Sequence, residues 1–204
     1  MLFDDTYKTI TDPAEGLFKD KGSKFIAFAY PITAESEVKA QLTRLRAEHT
    51  KANHFCYAYR LTPDRNVYRI NDDGEPSGTA GRPILNALLS ADITNILIVV
   101  VRYFGGTLLG VPGLINAYRS AANEALMLAS VVEKTVNDIY EIHFDYLAMN
   151  DVMRLVKEEQ LSLLDQQFDN QCRIKFEVRK AQLNKVLQRL EQQPQITVKY
   201  LGTN

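Results

Sequence analysis

Two glycine-rich segments hold most of the residues in this chain that could do chemistry. The first, Asn71 to Pro83, reads NDDGEPSGTAGRP, and the second, Gly105 to Gly113, reads GGTLLGVPG. Seven of the ten glycines and three of the seven prolines fall between Gly74 and Gly113, so backbone geometry is singled out there. The second segment leaves an apolar strand and enters a helix. That order puts unpaired N–H groups at the positive end of a helix dipole, an arrangement that takes phosphate or carboxylate. Arg102, at the strand end, adds a fork for the same anion. The competing reading is structural, with Gly105-Gly106 and Pro112-Gly113 as two tight bends. The spacing is neither GxGxxG nor GxxxxGK[ST], which disfavours a dinucleotide or P-loop nucleotide site. In the first segment Asp72, Asp73 and Glu75 offer three carboxylates to a hard cation such as Mg²⁺, although Asp-Gly is also a common turn.

Other reactive groups are sparse. Ser77 and Thr79 need a base to become nucleophiles. His49 and His54 are not in a triad spacing, and His143 belongs to a distant strand. Cys56 lies on a strand beside Ala58 and reads as a buried, inert thiol. No feature demands an enzyme, and no cofactor is expected. Aromatic and basic residues interleave on the middle strands: Tyr57, Tyr59, Arg60, Tyr68, Arg69, Arg102, Tyr103 and Phe104. They form either a stacking-and-charge platform for single-stranded RNA or a tyrosine core with a solvated arginine edge.

These residues must be positioned by regular elements. Lys24–Tyr30 reads as a strand. A helix follows over residues 34–48, with Thr33 or Ser36 as cap. His54–Leu61 alternates as a strand, Val67–Ile70 is its short partner, and Asn95–Phe104 is a strand buried on both faces. Leu114–Leu128 is a long helix. The last third has no glycine before Gly202 and a regular pattern. It comprises a strand at 140–144, a helix around 152–156, a hairpin of 161–168 and 172–179 turning at Asp169-Asn170, a helix at 183–190 and a strand at 196–200. That order is βαββαβ, the ferredoxin-like arrangement. A domain boundary is placed at Glu133–Val136, between domains of 1–133 and 137–204.

The 204 residues are 46% hydrophobic and 24% charged, with 24 Lys and Arg against 25 Asp and Glu. That is globular composition, and the net charge of −1 excludes coating of nucleic acid by bulk charge, though not a local basic face. Two widely spaced cysteines are too few for a disulfide framework and fit a reducing compartment. The start, MLFDDTYK, lacks a basic segment followed by an apolar run, so no secretory signal is expected. The longest apolar run, Ile96–Val101, is far below the ~20 residues of a membrane span.

Taken together, Lys24-Phe25-Ile26, His54 with Cys56-Tyr57-Ala58, DDGEPSGTAGRPIL (Asp72–Leu85) and VVVRYFGGTLLGVPGLINAY (Val99–Tyr118) resemble the IMPACT family, in its bacterial YigZ branch. The resemblance implies an α+β fold: an N-terminal ribosomal-protein-like βαβ domain followed by a ferredoxin-like C-terminal domain. It implies a cytoplasmic protein tied to translation, with RNA, the ribosome or a protein of the translation machinery as partner. The family supplies no catalytic residue to carry over. The two loops then read as one surface: Arg82 and Arg102 contact phosphate, Gly105, Gly106 and Gly113 shape the backbone, and Thr79 and Tyr103 flank it. Val111-Pro112 departs from the glycine-richer sequence of bacterial relatives and removes one N–H from that surface. The alternative is an enzyme for a small phosphorylated or carboxylated ligand at the same loops.

Overall fold

The computed structural model describes residues 5–169 and 171–203. The chain divides into two compact units. One is Tyr7–Lys134; the other runs from Thr135 and also takes in Asp5 and Thr6. Asn170, half of the expected hairpin turn, lies outside the described residues.

The first unit is built on a five-stranded antiparallel sheet. Its strands are β2 (Ala14–Asp20), β3 (Ser23–Pro31), β4 (His54–Leu61), β5 (Val67–Asn71) and β6 (Ile96–Tyr103), in the spatial order β2-β3-β6-β4-β5. β6 is central and almost wholly buried, as its β-branched run requires. Alternation along the strands makes two cores. On one face Tyr30, Phe55, Tyr59, Leu97 and Val99 pack with Val38 and Leu45 of α1 (Ser36–Glu48). On the other Phe25, Cys56, Ile98 and Val100 pack against α2 (Gly81–Ala91) and α3 (Gly110–Leu128). α3 approaches β2 closely: a Cβ on Gly16 would lie 2.2 Å from the Ala125 nitrogen. A ribbon of β1 (Thr6–Ile10) and β7 (Val131–Thr135) completes the N-terminal elements.

Five elements depart from the sequence reading. β1, β2 and β7 carry too few periodic apolar residues to stand out. α2 lies where Gly81-Arg82-Pro83 suggests a loop, and α3 starts at Gly110 rather than at Leu114. Both helices open Gly-X-Pro. Proline in a first turn costs little because its missing N–H would be unpaired there anyway. The cap of α1 also differs. Glu37 reaches back to accept from the Thr33 and Ala34 amides at 2.8 and 2.9 Å, and neither Thr33 nor Ser36 caps the helix with its side chain.

The second unit follows the expected order: β8 (Asn137–Phe144), α4 (Met149–Glu158), β9 (Ser162–Phe168), β10 (Cys172–Arg179), α5 (Leu183–Glu191) and β11 (Ile196–Thr203). The strands align antiparallel as β11-β8-β10-β9, the ferredoxin-like order. Its core joins Ile142, Phe144, Ile174 and Phe176 to Val152, Leu155, Val186 and Leu190. Glu159 ties the end of α4 to α5 through Lys185, at 2.8 Å, and Arg189. Among the described residues no helix is long and apolar enough to cross a membrane.

Candidate functional site

The two glycine-rich segments converge on a cleft of about 380 Å³ in the first unit. Strand register lays down its floor. Phe25, Arg102 and His54 are directly opposed across β3, β6 and β4, so their side chains share the α2/α3 face. Over them folds Glu75, from the loop between β5 and α2. Arg102 Nη1 donates to Glu75 Oε1 at 2.5 Å, and the Tyr118 hydroxyl of α3 donates to the same oxygen at 2.7 Å. Arg102 and Glu75 are 5% and 8% exposed, so this is a buried ion pair. His54 turns its Nε2 to within 3.8 Å of that carboxylate, while its Nδ1 lies 2.8 Å from the Asp73 carbonyl and donates to it in the matching tautomer. The guanidinium lies between Phe25 and Phe104, 5.4 and 5.6 Å from the ring centroids. Pro76, Phe104, Leu108, Leu109, Val111 and Leu114 supply an apolar wall.

Behind the floor, Cys56 Sγ lies 3.0 Å from the Asp72 carbonyl oxygen and 3.3 Å from the Tyr118 hydroxyl. Burial pushes both the thiol and the phenol well above their ordinary values, so both stay protonated at neutral pH. Two groups around the cleft lack a side-chain partner. The Arg102 Nε is buried and makes no hydrogen bond. The N-terminus of α3 has no side-chain cap, and its first residues, Gly110 and Val111, line the opening.

The carboxylates expected to hold a cation are used otherwise. Asp72 accepts from the amides of Gly78, Ala80 and Gly81, which caps α2. Asp73 accepts from the Phe55 amide and from Arg46. Glu75 serves Arg102 and Tyr118. Among the described residues no group of three or more His, Cys, Asp and Glu side chains is placed to hold a metal ion.

The expected anion surface is redistributed as well. Arg102 is on the cleft floor, bound to Glu75, rather than on an open face. Tyr103, next along β6, points to the opposite side of the sheet, where its hydroxyl lies 2.8 Å from His49 Nδ1. Arg82 is exposed on the first turn of α2, outside the cleft lining. Thr79 is buried and donates to the Pro76 carbonyl at 2.6 Å. Gly105 packs against the β2–β3 turn, Gly106 has φ +85° in open space, and Gly113 sits in the first turn of α3 beside Leu109. Sequence reasoning missed Tyr118 and Asn53. A tyrosine in the alanine stripe Ala117, Ala121, Ala122 and Ala125 is the signal for the first, because a buried hydroxyl needs a partner. Asn53 accepts from the Phe104 amide at 3.0 Å, and nothing local marks that contact.

On the other face of the sheet, α1 and the β4–β5 edge enclose a groove of about 370 Å³. Lys39 and Arg46 of α1 and Arg69 of β5 line it with Tyr57, Tyr59 and a single carboxylate, Glu35. Arg46 stacks over Phe55 at 4.8 Å and pairs with Asp73 at 2.9 Å. Burial, followed by the Glu35 carboxylate, pushes the Tyr59 phenol up to about 12.

Comparison with known proteins places this architecture. The profile of the Impact N-terminal domain matches residues 21–126, which include both glycine-rich segments, His54, Arg102 and Tyr118. The chain is 34% identical over 158 residues to the IMPACT family member YvyE of Bacillus subtilis, covering 78% of this chain and 73% of that protein. It is 36% identical over 138 residues to YigZ of Escherichia coli K12, covering 67% and 68%. A crystal structure described as that of a hypothetical protein superposes with a TM-score of 0.71 at 26% identity, over 97% of each chain. With the family's domain matched over more than half of this chain and these relatives aligned over two thirds or more, this chain belongs to the IMPACT family.

Proposed function

We propose that the first unit associates with RNA in the cytoplasm, in the setting of translation that family membership suggests, and that it does so through the α1/β4–β5 groove. One observation carries this reading: Lys39 and Arg69 line a single groove with Tyr57 and Tyr59, joined by Arg46, which also pairs with Asp73, and Glu35 is the carboxylate in that lining. Cations at the rim of a groove contact backbone phosphates, and the half-buried Tyr57 ring gives an unstacked base a surface. Arg102 no longer belongs in this reading, because Glu75 engages it at the bottom of the cleft. The polar face of the second unit's sheet suits RNA less well. There Arg173 bridges Glu141 and Asp165, and His143 also meets Glu141, so that arginine's charge is spent internally.

Fluorescence anisotropy with a labelled single-stranded oligoribonucleotide tests the reading. Binding is expected at low salt, with log K falling against log salt by about 0.7 for each phosphate contacted, so roughly 1.4 for Lys39 and Arg69. Lys39→Glu with Arg69→Glu should weaken binding by at least about tenfold and flatten that slope. Absence of binding at low salt, or binding indifferent to the double substitution, overturns it.

A further inference from the structure

We infer that the base selected by the α1/β4–β5 groove is an unpaired guanine, read on its Watson–Crick edge by Glu35. This specificity rests on the RNA association proposed above and belongs to the same groove. A groove that only held phosphate oxygens would bind them more weakly for having an anion in its wall. Glu35 nonetheless lines it beside Lys39 and Arg69. The i,i+4 spacing of Glu35 and Lys39 on α1 suits a helical ion pair. Among the described residues, however, no ion pair joins Glu35 to Lys39 or to Arg69. The neighbour that Glu35 does engage is the Tyr59 phenol, buried in the groove floor. A carboxylate has about four lone-pair sites, so that contact leaves both oxygens able to accept.

Register and helix repeat divide the groove into two ends. Tyr59 and Arg69 are directly opposed across β4 and β5, so both stand on the α1 face of the sheet. Glu35 is at the start of α1, and Arg46 is in its last turn, about 16 Å away along the axis at 1.5 Å per residue. The carboxylate is therefore at one end, and cations continue past it along the wall. Tyr57, two residues from Tyr59 on the same strand face, is half-buried between them.

The chemistry of a carboxylate selects the base. It only accepts, and its two adjacent oxygens match two adjacent donors. Guanine offers that pair through N1–H and N2–H. Adenine and cytosine put a ring-nitrogen acceptor beside their one amino donor, and uracil flanks its N3–H with two carbonyls. In each of those three a base acceptor would face the second Glu35 oxygen. Guanine O6, next along the edge, is itself an acceptor, and Lys39 and Arg69 flank the carboxylate to meet it. The edge must be unpaired to be read, and the Tyr57 ring supplies the stacking surface. A volume of about 370 Å³ is at the small end of ligand sites and suits one base rather than a paired stem.

The experiment measures, by fluorescence anisotropy at low salt, binding of the whole protein to labelled UUUGUUU and to the same RNA with inosine, adenine or uracil at the centre. The guanine RNA should bind at least about tenfold more tightly than the adenine and uracil ones, the discrimination of one bidentate pair. Inosine keeps N1–H and lacks the amino group, so its RNA should fall between. Glu35→Gln turns one acceptor into a donor at an exposed position that makes no side-chain cap bond. Its Tm should be unchanged, its guanine preference should drop below about threefold, and it should hold the uracil RNA at least as tightly as before. Guanosine 5′-monophosphate, titrated alone by ¹H–¹⁵N NMR, should shift the Glu35, Tyr59 and Arg69 amides and bind at least about tenfold more weakly than the guanine RNA, because it lacks the flanking phosphates. Equal binding of all four RNAs, or a guanine preference that persists in Glu35→Gln, overturns the selection of guanine and leaves RNA association standing. No binding of any of the four overturns both. Guanosine monophosphate binding as tightly as the guanine RNA overturns the assignment to RNA in favour of a free nucleotide.

Discussion

Glu75 is the residue on which the cleft depends. It neutralises Arg102, accepts from Tyr118 and faces His54, all at one oxygen. Removing one partner of a buried ion pair leaves the other uncompensated, so Glu75→Gln is expected to lower unfolding free energy by about 3–5 kcal/mol in a urea titration. Replacing both partners by apolar side chains, Glu75→Leu with Arg102→Met, should be milder than either change alone, because no charge is then stranded. The neighbouring Cys56 gives a prediction of opposite character. Its thiol is buried and protonated, so iodoacetamide should label it only as fast as the protein opens, with peptide mapping to separate it from the also buried Cys172. Rapid labelling in the native protein would show that the cleft floor is open to reagents.

At the scale of elements, loops and caps matter more than helix propensity. Gly105 lies where a Cβ would come within 1.9 Å of the Gly22 carbonyl carbon and 2.2 Å of the Ser23 nitrogen. Gly105→Ala must therefore separate the β6 exit from the β2–β3 turn, and should cost more than about 3 kcal/mol. Gly106→Ala meets open space at φ +85° and should cost only about 1 kcal/mol, the penalty of a left-handed residue. Thermal unfolding of the pair separates close packing from backbone strain. For α1 the element-level device is Glu37. The Thr33 amide holds its carboxyl below the ordinary 4.5. Its contribution is therefore complete above the unfolded value and is lost as pH falls through the lower folded one. Glu37→Gln should cost about 0.5–1 kcal/mol at neutral pH, and the two proteins should converge in stability as acid protonates the wild-type cap.

For the whole molecule, the division at Lys134/Thr135 leaves two hydrophobic cores in the first unit and one in the second. Residues 7–134 are expected to unfold cooperatively on their own, with native-like amide dispersion. Their affinity for the oligoribonucleotide should stay within about threefold of the full chain, because every groove residue is in that unit. A collapsed, non-cooperative fragment would mean that the ribbon and core need the rest of the chain. A much weaker but folded fragment would place part of the RNA surface outside it.

Period and composition along the chain already determined the regular elements that are long and strongly patterned, including the buried Asn95–Phe104 strand and the βαββαβ order of the last third. Both signals are local, as side-chain alternation and helical repeats are properties of a few neighbouring residues. Alternation also implies that Arg102 and Tyr103 face opposite ways, and that the tyrosines of β4 share one face. Which loop covers which face is not local. Glu75 reaches Arg102 across 27 residues and Tyr118 across 43, and Asp72 finds α2 rather than a cation because the chain turns back on itself there. Only the tertiary structure decided that the guanidinium is sheltered and that one helix end is closed by a carboxylate while the other stays open, since those outcomes depend on which distant groups desolvate one another.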